Sequence, residues 1–456
     1  MFSSKVDMLS GSVVKGLISM TVPVMIMNVM QTLFSVIDMT VLGNLVNDAA
    51  VGAVGACGML ISLCTGLLIG ISTGANVVVA RRIGEGDSER TEKAIGTSLM
   101  FALAGGFAML LIGVCFAETF LRWTNCPDEL LDDAVLYFKI YFYGCPVIML
   151  YNFCASILRA MGDTKRPMYF MIIGGIAKII LNLCCITIFH MSVDGVALTT
   201  ILSNLIAGGL AFFVLVRSRD KFHFNIKKMR FNLSELKEIL FIGVPTGFQS
   251  ALYSFANVLI TAVVNSFGVD ATTGISIANQ FDGILYQISC ATAFAATPYI
   301  AQNIGAGNIK RAKEATLKSI IITVAFGATF GALSAIFSPQ LSGTMSQNPE
   351  VIKYSCQKMM LISSTYFICG INEVMGGTLR AMRKPIIPTV ATLVFMCLFR
   401  FVWVYLIFPL CPNLTFLYLV WPVGWILSII MILIAYFPTM SKLEKGACKN
   451  EEAVQI

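Results

Sequence analysis

Long apolar runs follow one another along the whole chain, and they limit what it can fold into. Each of twelve runs reaches or exceeds the roughly 20 residues that a helix needs to cross a bilayer. Only 12% of the 456 residues are charged, about half the share in a soluble domain. The sequence therefore predicts an all-α polytopic membrane protein with 12 transmembrane helices, rather than a barrel of short alternating strands. The predicted spans are about 16–43, 50–78, 95–117, 134–158, 168–190, 195–216, 238–267, 272–303, 316–337, 354–379, 386–408 and 416–438.

Basic residues mark one side of this membrane protein. Of the 32 Lys and Arg residues, 26 fall in the N-terminus, the even-numbered loops and the tail. The odd-numbered loop 118–133 is instead acidic. Because loops rich in Lys and Arg stay in the cytoplasm, we expect both termini to be cytoplasmic. The net charge of +7 follows this loop pattern and does not indicate a nucleic-acid partner.

The two halves of the chain repeat the same motifs in the same order, at a nearly constant offset in residue number. Each half has six predicted spans, so both halves enter the membrane from the same side. We therefore predict two six-helix bundles, 1–216 and 238–456 with a short cytoplasmic tail, related by a pseudo-two-fold along the membrane normal and joined by the cytoplasmic linker 217–237. The repeated landmarks are Val22-Pro23 with Val244-Pro245, Ala80–Gly86 with Ala301–Gly307, Pro127-Asp128 with Pro349-Glu350, and Leu158–Met161 with Leu379–Met382.

Chemistry-bearing motifs are scarce, which argues against an enzyme. The chain has two histidines, no nucleotide-binding Walker motif and no cysteine or histidine spacing typical of a metal site. We therefore expect neither a cofactor nor a bound metal. Two similar bundles with a cleft between them instead suit a transporter that works by alternating access.

Several motifs together resemble the multidrug and toxic compound extrusion (MATE) family, over about residues 10–440, with the second half most similar to its DinF-like bacterial branch. The family implies antiport, in which a bulky, often cationic compound leaves as H+ or Na+ enters. It belongs to a superfamily that also includes lipid and oligosaccharide flippases. The motifs are Pro23 with Val36–Gly43, Ala80–Gly86, Leu158–Pro167, Gly243–Gly247, Ala301–Gly307 and Leu379–Met382.

Asp38, late in the first span, is the leading candidate for cation coupling. Ionisable side chains inside the membrane are costly and mark functional sites, and the resemblance assigns an Asp at this motif position to coupling. Asn182 and Thr200 resemble its polar partners. Where some members carry a second carboxylate this chain has Ile186, and Lys178 lies one turn before Asn182. An added ammonium favours a proton over Na+; the alternative for Lys178 is snorkelling to an interface.

Three charged residues lie within the spans of the second half: Asp282, Glu373 and Arg400. One interpretation is a structural ion pair of Arg400 with either carboxylate. The other is that a carboxylate faces the cleft and attracts a cationic substrate. Tyr253 stands where another branch of the family has a cation-binding Glu. Three amide residues of the spans could also line the substrate cleft, namely Gln249, Asn257 and Gln280.

Glycines recur every four residues in the second span, at Gly66, Gly70 and Gly74. This spacing lets another helix approach closely. We expect these glycines to pack helices rather than to bind a ligand.

Taken together, these features favour a cation-coupled antiporter, driven by H+ more readily than by Na+, that exports organic cations or amphiphilic drugs. The alternative is a flippase for lipid-linked or amphiphilic compounds, which would need several inward basic residues. The expected location is the bacterial cytoplasmic (inner) membrane. A monomer can hold both bundles.

Overall fold

Helices make up nearly all of the protein over the residues that the computed structural model describes, 5–124, 126–217 and 230–454. No strand occurs in this part of the chain. The α-helices are α1 (Val13–Leu45), α2 (Asp48–Glu85), α3 (Ser88–Trp123), α4 (Asp128–Tyr143), α5 (Cys145–Ala160), α6 (Lys165–Thr187), α7 (Val193–Arg217), α8 (Leu233–Asn265), α9 (Val269–Gly305), α10 (Ile309–Ile336), α11 (Ser338–Gly343), α12 (Pro349–Ile362), α13 (Tyr366–Ala381), α14 (Ile386–Ala391), α15 (Phe399–Val402), α16 (Leu414–Tyr418) and α17 (Val420–Val454).

The observed helices follow the predicted spans. Within the described ranges, nine helical segments are long and apolar enough to cross a membrane, and the bent pair α4–α5 makes a tenth. Helix α8 and the pair α12–α13 occupy the remaining two predicted positions. With 38 residues, α2 is about 57 Å long, so it extends beyond a hydrocarbon core of about 30 Å.

Four predicted spans are interrupted in the described residues, and in the twelfth Leu419 alone separates α16 from α17. The fourth span is α4 and α5, bent by 48° at Gly144. Pro146 lies in the first turn of α5, where its missing N–H costs no helical hydrogen bond. A 3-10 turn at Ser363–Thr365 separates α12 from α13. In the eleventh span, π-helical turns at Thr392–Leu398 and Trp403–Ile407 flank α15.

Two compact units divide the chain, and each takes in a piece of the other repeat's first helix. Unit 1 comprises residues 1–5 and 26–247, and unit 2 comprises residues 6–25 and 248–456. The predicted boundaries follow the sequence repeat, whereas these units follow packing. Most of the predicted linker 217–237 lies outside the described residues, since 218–229 are not described.

Ion pairs hold the start of α8 within unit 1. Arg82, near the end of α2, lies 3.1 Å from Glu235 and 2.7 Å from Glu238, and Arg90 lies 3.3 Å from Glu235. The Arg82, Glu235 and Glu238 side chains are at most 8% exposed. Because buried charges are stable only when paired, this cluster fixes the position of the first turns of α8.

In unit 2, the residues equivalent to Arg82 and Arg90 bind the segment that precedes α1. In the second repeat, Asn303 and Arg311 occupy the positions that correspond to Arg82 and Arg90. Both donate to the carbonyl oxygen of Met8, each at 3.0 Å. Arg311 also donates to the carbonyl oxygens of Ser10 and Gly11 at 2.6 and 2.9 Å. The same two positions therefore bind the chain at the start of a repeat in both units, through ion pairs in unit 1 and through hydrogen bonds to carbonyl oxygens in unit 2.

Glycines bring α2 and the first half of α8 into close contact. A Cβ at Gly70 would lie 2.2 Å from the Gly247 Cα, and one at Gly74 would lie 2.3 Å from the Ile239 carbonyl oxygen. A Cβ at Gly243 would lie 2.6 Å from the Ile71 Cα. Two of the three glycines singled out in the sequence therefore pack helices, as expected.

Candidate functional site

Asp38 lies inside unit 1, where two side chains of α6 bind it. Lys178 forms an ion pair with Asp38 Oδ2, and Asn182 Nδ2 donates to Asp38 Oδ1 at 2.7 Å. Lys178 and Asn182 are one helical turn apart, so they share one face of α6. The Asp38 and Lys178 side chains are only 14% and 12% exposed. Three of the four residues predicted for this site are thus brought together.

Thr199, rather than the predicted Thr200, completes this network. The Thr199 hydroxyl donates to Asn182 Oδ1, and Thr199 is fully buried. Thr200 instead donates to the Val196 carbonyl oxygen of its own helix at 2.8 Å. Successive helical residues point about 100° apart, because 3.6 residues make one turn. The sequence offers both hydroxyls, and only the rotation of α7 selects Thr199.

The groups that face Asp38 are hydrogen-bond donors. Lys178 presents an ammonium, and Asn182 presents its NH2 group because Thr199 donates to its oxygen. Ile186, at the next turn of α6, is buried in the apolar core of unit 1 and supplies no oxygen. Hard metal cations prefer several oxygen ligands, and neither Lys178 nor Asn182 presents an oxygen to Asp38.

Lys358 of α12 pairs with Asp282 of α9 inside unit 2. The Nζ atom lies 2.9 Å from Asp282 Oδ2, and both side chains are under 10% exposed. Lys358 also donates to Asn279, while the predicted cleft residue Gln280 is exposed. Lys358 lies inside the predicted span 354–379 and is buried there. Because Asp282 pairs with Lys358, the interpretation that pairs Asp282 with Arg400 is not supported.

Glu373 of α13 also pairs with a residue other than Arg400. Its Oε2 lies 3.8 Å from Arg380 Nη2, and Tyr253 donates to its Oε1 at 3.5 Å. Arg380 donates as well to Gln249 Oε1 at 2.9 Å. The interpretation that pairs Glu373 with Arg400 is likewise not supported, because Glu373 pairs with Arg380.

Arg400 is almost fully buried, at 2% exposed, and its nearest partners are uncharged. It donates to Asn257 Oδ1 at 2.7 Å, and its guanidinium carbon lies 5.4 Å from the centre of the Trp421 ring. Within the described ranges, no carboxylate lies at ion-pair distance from Arg400. Nor does any cluster of three or more His, Cys, Asp or Glu residues in those ranges have a metal-binding arrangement.

The MatE family model matches the chain twice, at residues 23–184 and 245–406. The starts of the two matches are separated by the same interval as their ends, which confirms the internal duplication. Together they cover more than half of the chain.

Curated relatives match most of the chain. The probable multidrug resistance protein YpnP of Bacillus subtilis is 26% identical over 375 residues, which cover 82% of this chain and 84% of the relative. An FAD transporter of Shewanella oneidensis is 24% identical over 396 residues, which cover 85% and 86%.

A solved structure shares the fold. It is a transporter of the MOP superfamily from Pyrococcus furiosus, with a TM-score of 0.89 at 20% identity over 97% of this chain and 99% of that one. The predicted all-α, 12-helix polytopic fold is thereby confirmed, and proteins of this kind are membrane transporters rather than enzymes. The chain belongs to the MatE family of multidrug and toxic compound extrusion transporters.

Proposed function

We propose that this protein is a proton-coupled antiporter that exports organic cations or amphiphilic compounds by alternating access. The observation that carries the proposal is the ion pair of Asp38 with Lys178 inside unit 1, supported by Asn182. A carboxylate within a membrane span is a candidate coupling group. Relatives named as multidrug resistance proteins support the substrate class.

The proton is the proposed coupling ion because the ammonium of Lys178 already lies where a metal cation would bind Asp38. Sodium would have to displace this charge and would find the NH2 group of Asn182 rather than an oxygen. A proton needs no set of oxygen ligands and no vacant position beside Asp38. It adds to an Asp38 oxygen, the ion pair with Lys178 breaks, and α1 and α6 are free to separate.

Proton entry also supplies enough free energy for export. One elementary charge that moves across a potential of 100 mV provides about 2.3 kcal/mol. That corresponds to a concentration ratio of about fiftyfold for a neutral compound exchanged one for one. Exchange of one proton for one monovalent cation moves no net charge, so the pH gradient alone drives that exchange. We further propose a monomer in the bacterial inner membrane with both termini in the cytoplasm, as the basic loops predict.

A flippase or exporter for phosphate-bearing amphiphiles is the second candidate function. One relative is named an FAD transporter, and FAD carries phosphate groups. Such a substrate would need inward basic residues without a carboxylate partner. Lys178, Lys358 and Arg380 are paired with carboxylates, and Arg400 contacts the amide of Asn257.

Transport into proteoliposomes tests the proposal directly. The purified protein is reconstituted, and a pH gradient or a Na+ gradient is imposed separately while uptake of a cationic dye is followed. We expect the pH gradient alone to drive uptake and a proton ionophore to abolish it. Uptake driven by Na+ at equal pH would refute proton coupling.

A further inference from the structure

The interior of unit 2 has one more positive charge than it has carboxylates. Among the described residues, the buried charged side chains of unit 2 are Asp282, Lys358, Arg380 and Arg400, and Glu373 beside Arg380 is 13% exposed. Asp282 pairs with Lys358, and Glu373 pairs with Arg380. Arg400 remains, and it has only the neutral amide of Asn257 and an aromatic ring.

Comparison of the two repeats shows that Arg400 lacks the carboxylate partner that the equivalent residue of unit 1 has. Lys178 and Arg400 each lie six residues before the end of a family match, at 184 and 406. The offset of 221 at Leu158 and Leu379 becomes 222 here, and the intervening π-helical turn at Thr392–Leu398 accounts for the added residue. Lys178 and Arg400 are therefore equivalent positions.

Both cations reach the first helix of their own repeat. Lys178 contacts α1 at Asp38, and Arg400 contacts α8 at Asn257. The residue that corresponds to Asp38 is Ile260, which is buried in the apolar core of unit 2. Unit 1 therefore neutralises its cation with a carboxylate, whereas unit 2 offers an amide that leaves the charge in place.

A buried cation without an anionic partner is costly, and a bound anion removes that cost. The guanidinium carries five N–H donors in a planar fork that fits a carboxylate or phosphate with two hydrogen bonds. Asn257 accepts only one bond, from Nη1. The Tyr418 hydroxyl, on the ring next to Trp421, is buried and has no hydrogen-bond partner among the described residues.

Trp421 adds an aromatic surface to these donors. Arg400 lies 5.4 Å and Lys358 lies 5.7 Å from the centre of the Trp421 ring. Two cations on one ring keep the local potential positive, even though Asp282 pairs with one of them. A charged group attached to an apolar or aromatic body fits this combination better than a small inorganic ion does.

We propose that Arg400, Asn257 and Trp421 form a binding site for the anionic group, a carboxylate or a phosphate, of the transported compound. This assignment rests on the proposed transport function and narrows its substrates to amphiphiles that carry such a group. The substrate supplies the negative charge that Asp38 supplies in unit 1.

Equilibrium binding to the purified protein in detergent tests the site without requiring transport. Two probe pairs separate the possible anions. Rhodamine B has a free carboxylate that its ethyl ester lacks, and flavin mononucleotide has a phosphate that riboflavin lacks. We expect the wild type to bind at least one anionic probe about tenfold more tightly than its partner. The pair that shows the preference identifies the anion.

Two variants locate that preference. Arg400→Gln removes the charge, and Asn257→Asp places a carboxylate beside Arg400, as in unit 1, without leaving a buried charge unpaired. Both should weaken binding of the anionic probe until its preference over the uncharged or esterified partner is lost. Gln340→Glu adds the same charge at an exposed position of α11 and serves as the control.

A wild type that shows no preference in either pair would overturn the site, as would a preference that persists in both variants. The proposed function is tested separately by the pH gradient in proteoliposomes. If the wild type prefers the anionic probe but the pH gradient drives no uptake, the proposed antiport is wrong and the site stands. If the pH gradient drives uptake but the wild type shows no preference, the site is wrong and the proposed antiport stands.

Discussion

Asn182 donates a hydrogen bond to Asp38 at 2.7 Å and accepts one from Thr199, so three helices of unit 1 meet at one carboxylate. The amide cannot rotate without losing both bonds. Asp38 is therefore held against Lys178 by groups that lie on α6 and α7 rather than by its own helix. A change at Asp38 should propagate to both of those helices.

Asp38→Asn should abolish uptake driven by a pH gradient, because an amide does not take up the coupling proton. The variant also leaves Lys178 without a carboxylate, so a loss of stability could imitate a loss of coupling. The double variant Asp38→Asn/Lys178→Met removes both charges. We expect the double variant to unfold at a higher temperature than the single variant and to remain inactive. Wild-type uptake by either variant would remove Asp38 from the mechanism.

Thr199→Val should reduce proton-driven uptake about fivefold to tenfold, because the loss of one hydrogen bond of about 1 kcal/mol frees the Asn182 amide to turn. Thr200→Val is the matched control, since Thr200 bonds only to the Val196 carbonyl oxygen of its own helix. Uptake rates of the two variants at equal protein density provide the measurement. Equal losses in both would show that Asn182 is not positioned by Thr199.

Gly70→Ala should destabilise unit 1, because its new Cβ would lie 2.2 Å from the Gly247 Cα in the backbone of α8. Overpacking of this kind costs about 1–3 kcal/mol. Gly58→Ala on the same helix is the control, since nothing lies within 4 Å of the added Cβ. Thermal unfolding in detergent should show a lower transition temperature for Gly70→Ala only. A transition unchanged by Gly70→Ala would argue against the close approach of α2 and α8.

Arg82→Gln should destabilise the protein, because it removes one ion-pair partner from each of two buried carboxylates, Glu235 and Glu238. Breaking a buried ion pair costs about 3–5 kcal/mol. Arg81→Gln, at the adjacent residue, loses only a contact with Glu85 on the helix surface and should change stability little. The same unfolding measurement compares them. Similar transitions for the two variants would contradict the role of Arg82 as an anchor of α8.

Local patterns in the sequence were sufficient for much of this description. Apolar runs are local features of the sequence, so the spans could be predicted without coordinates. The repeated motifs predicted the duplication in the same way. The position of Asp38 inside a span, together with the family resemblance, made it a candidate. The identity of charge partners could not, because it depends on which helices are neighbours and on how each is rotated. That rotation selects Thr199 over Thr200. Neighbouring helices pair Asp282 with Lys358 and Glu373 with Arg380, and thereby leave Arg400 beside an amide.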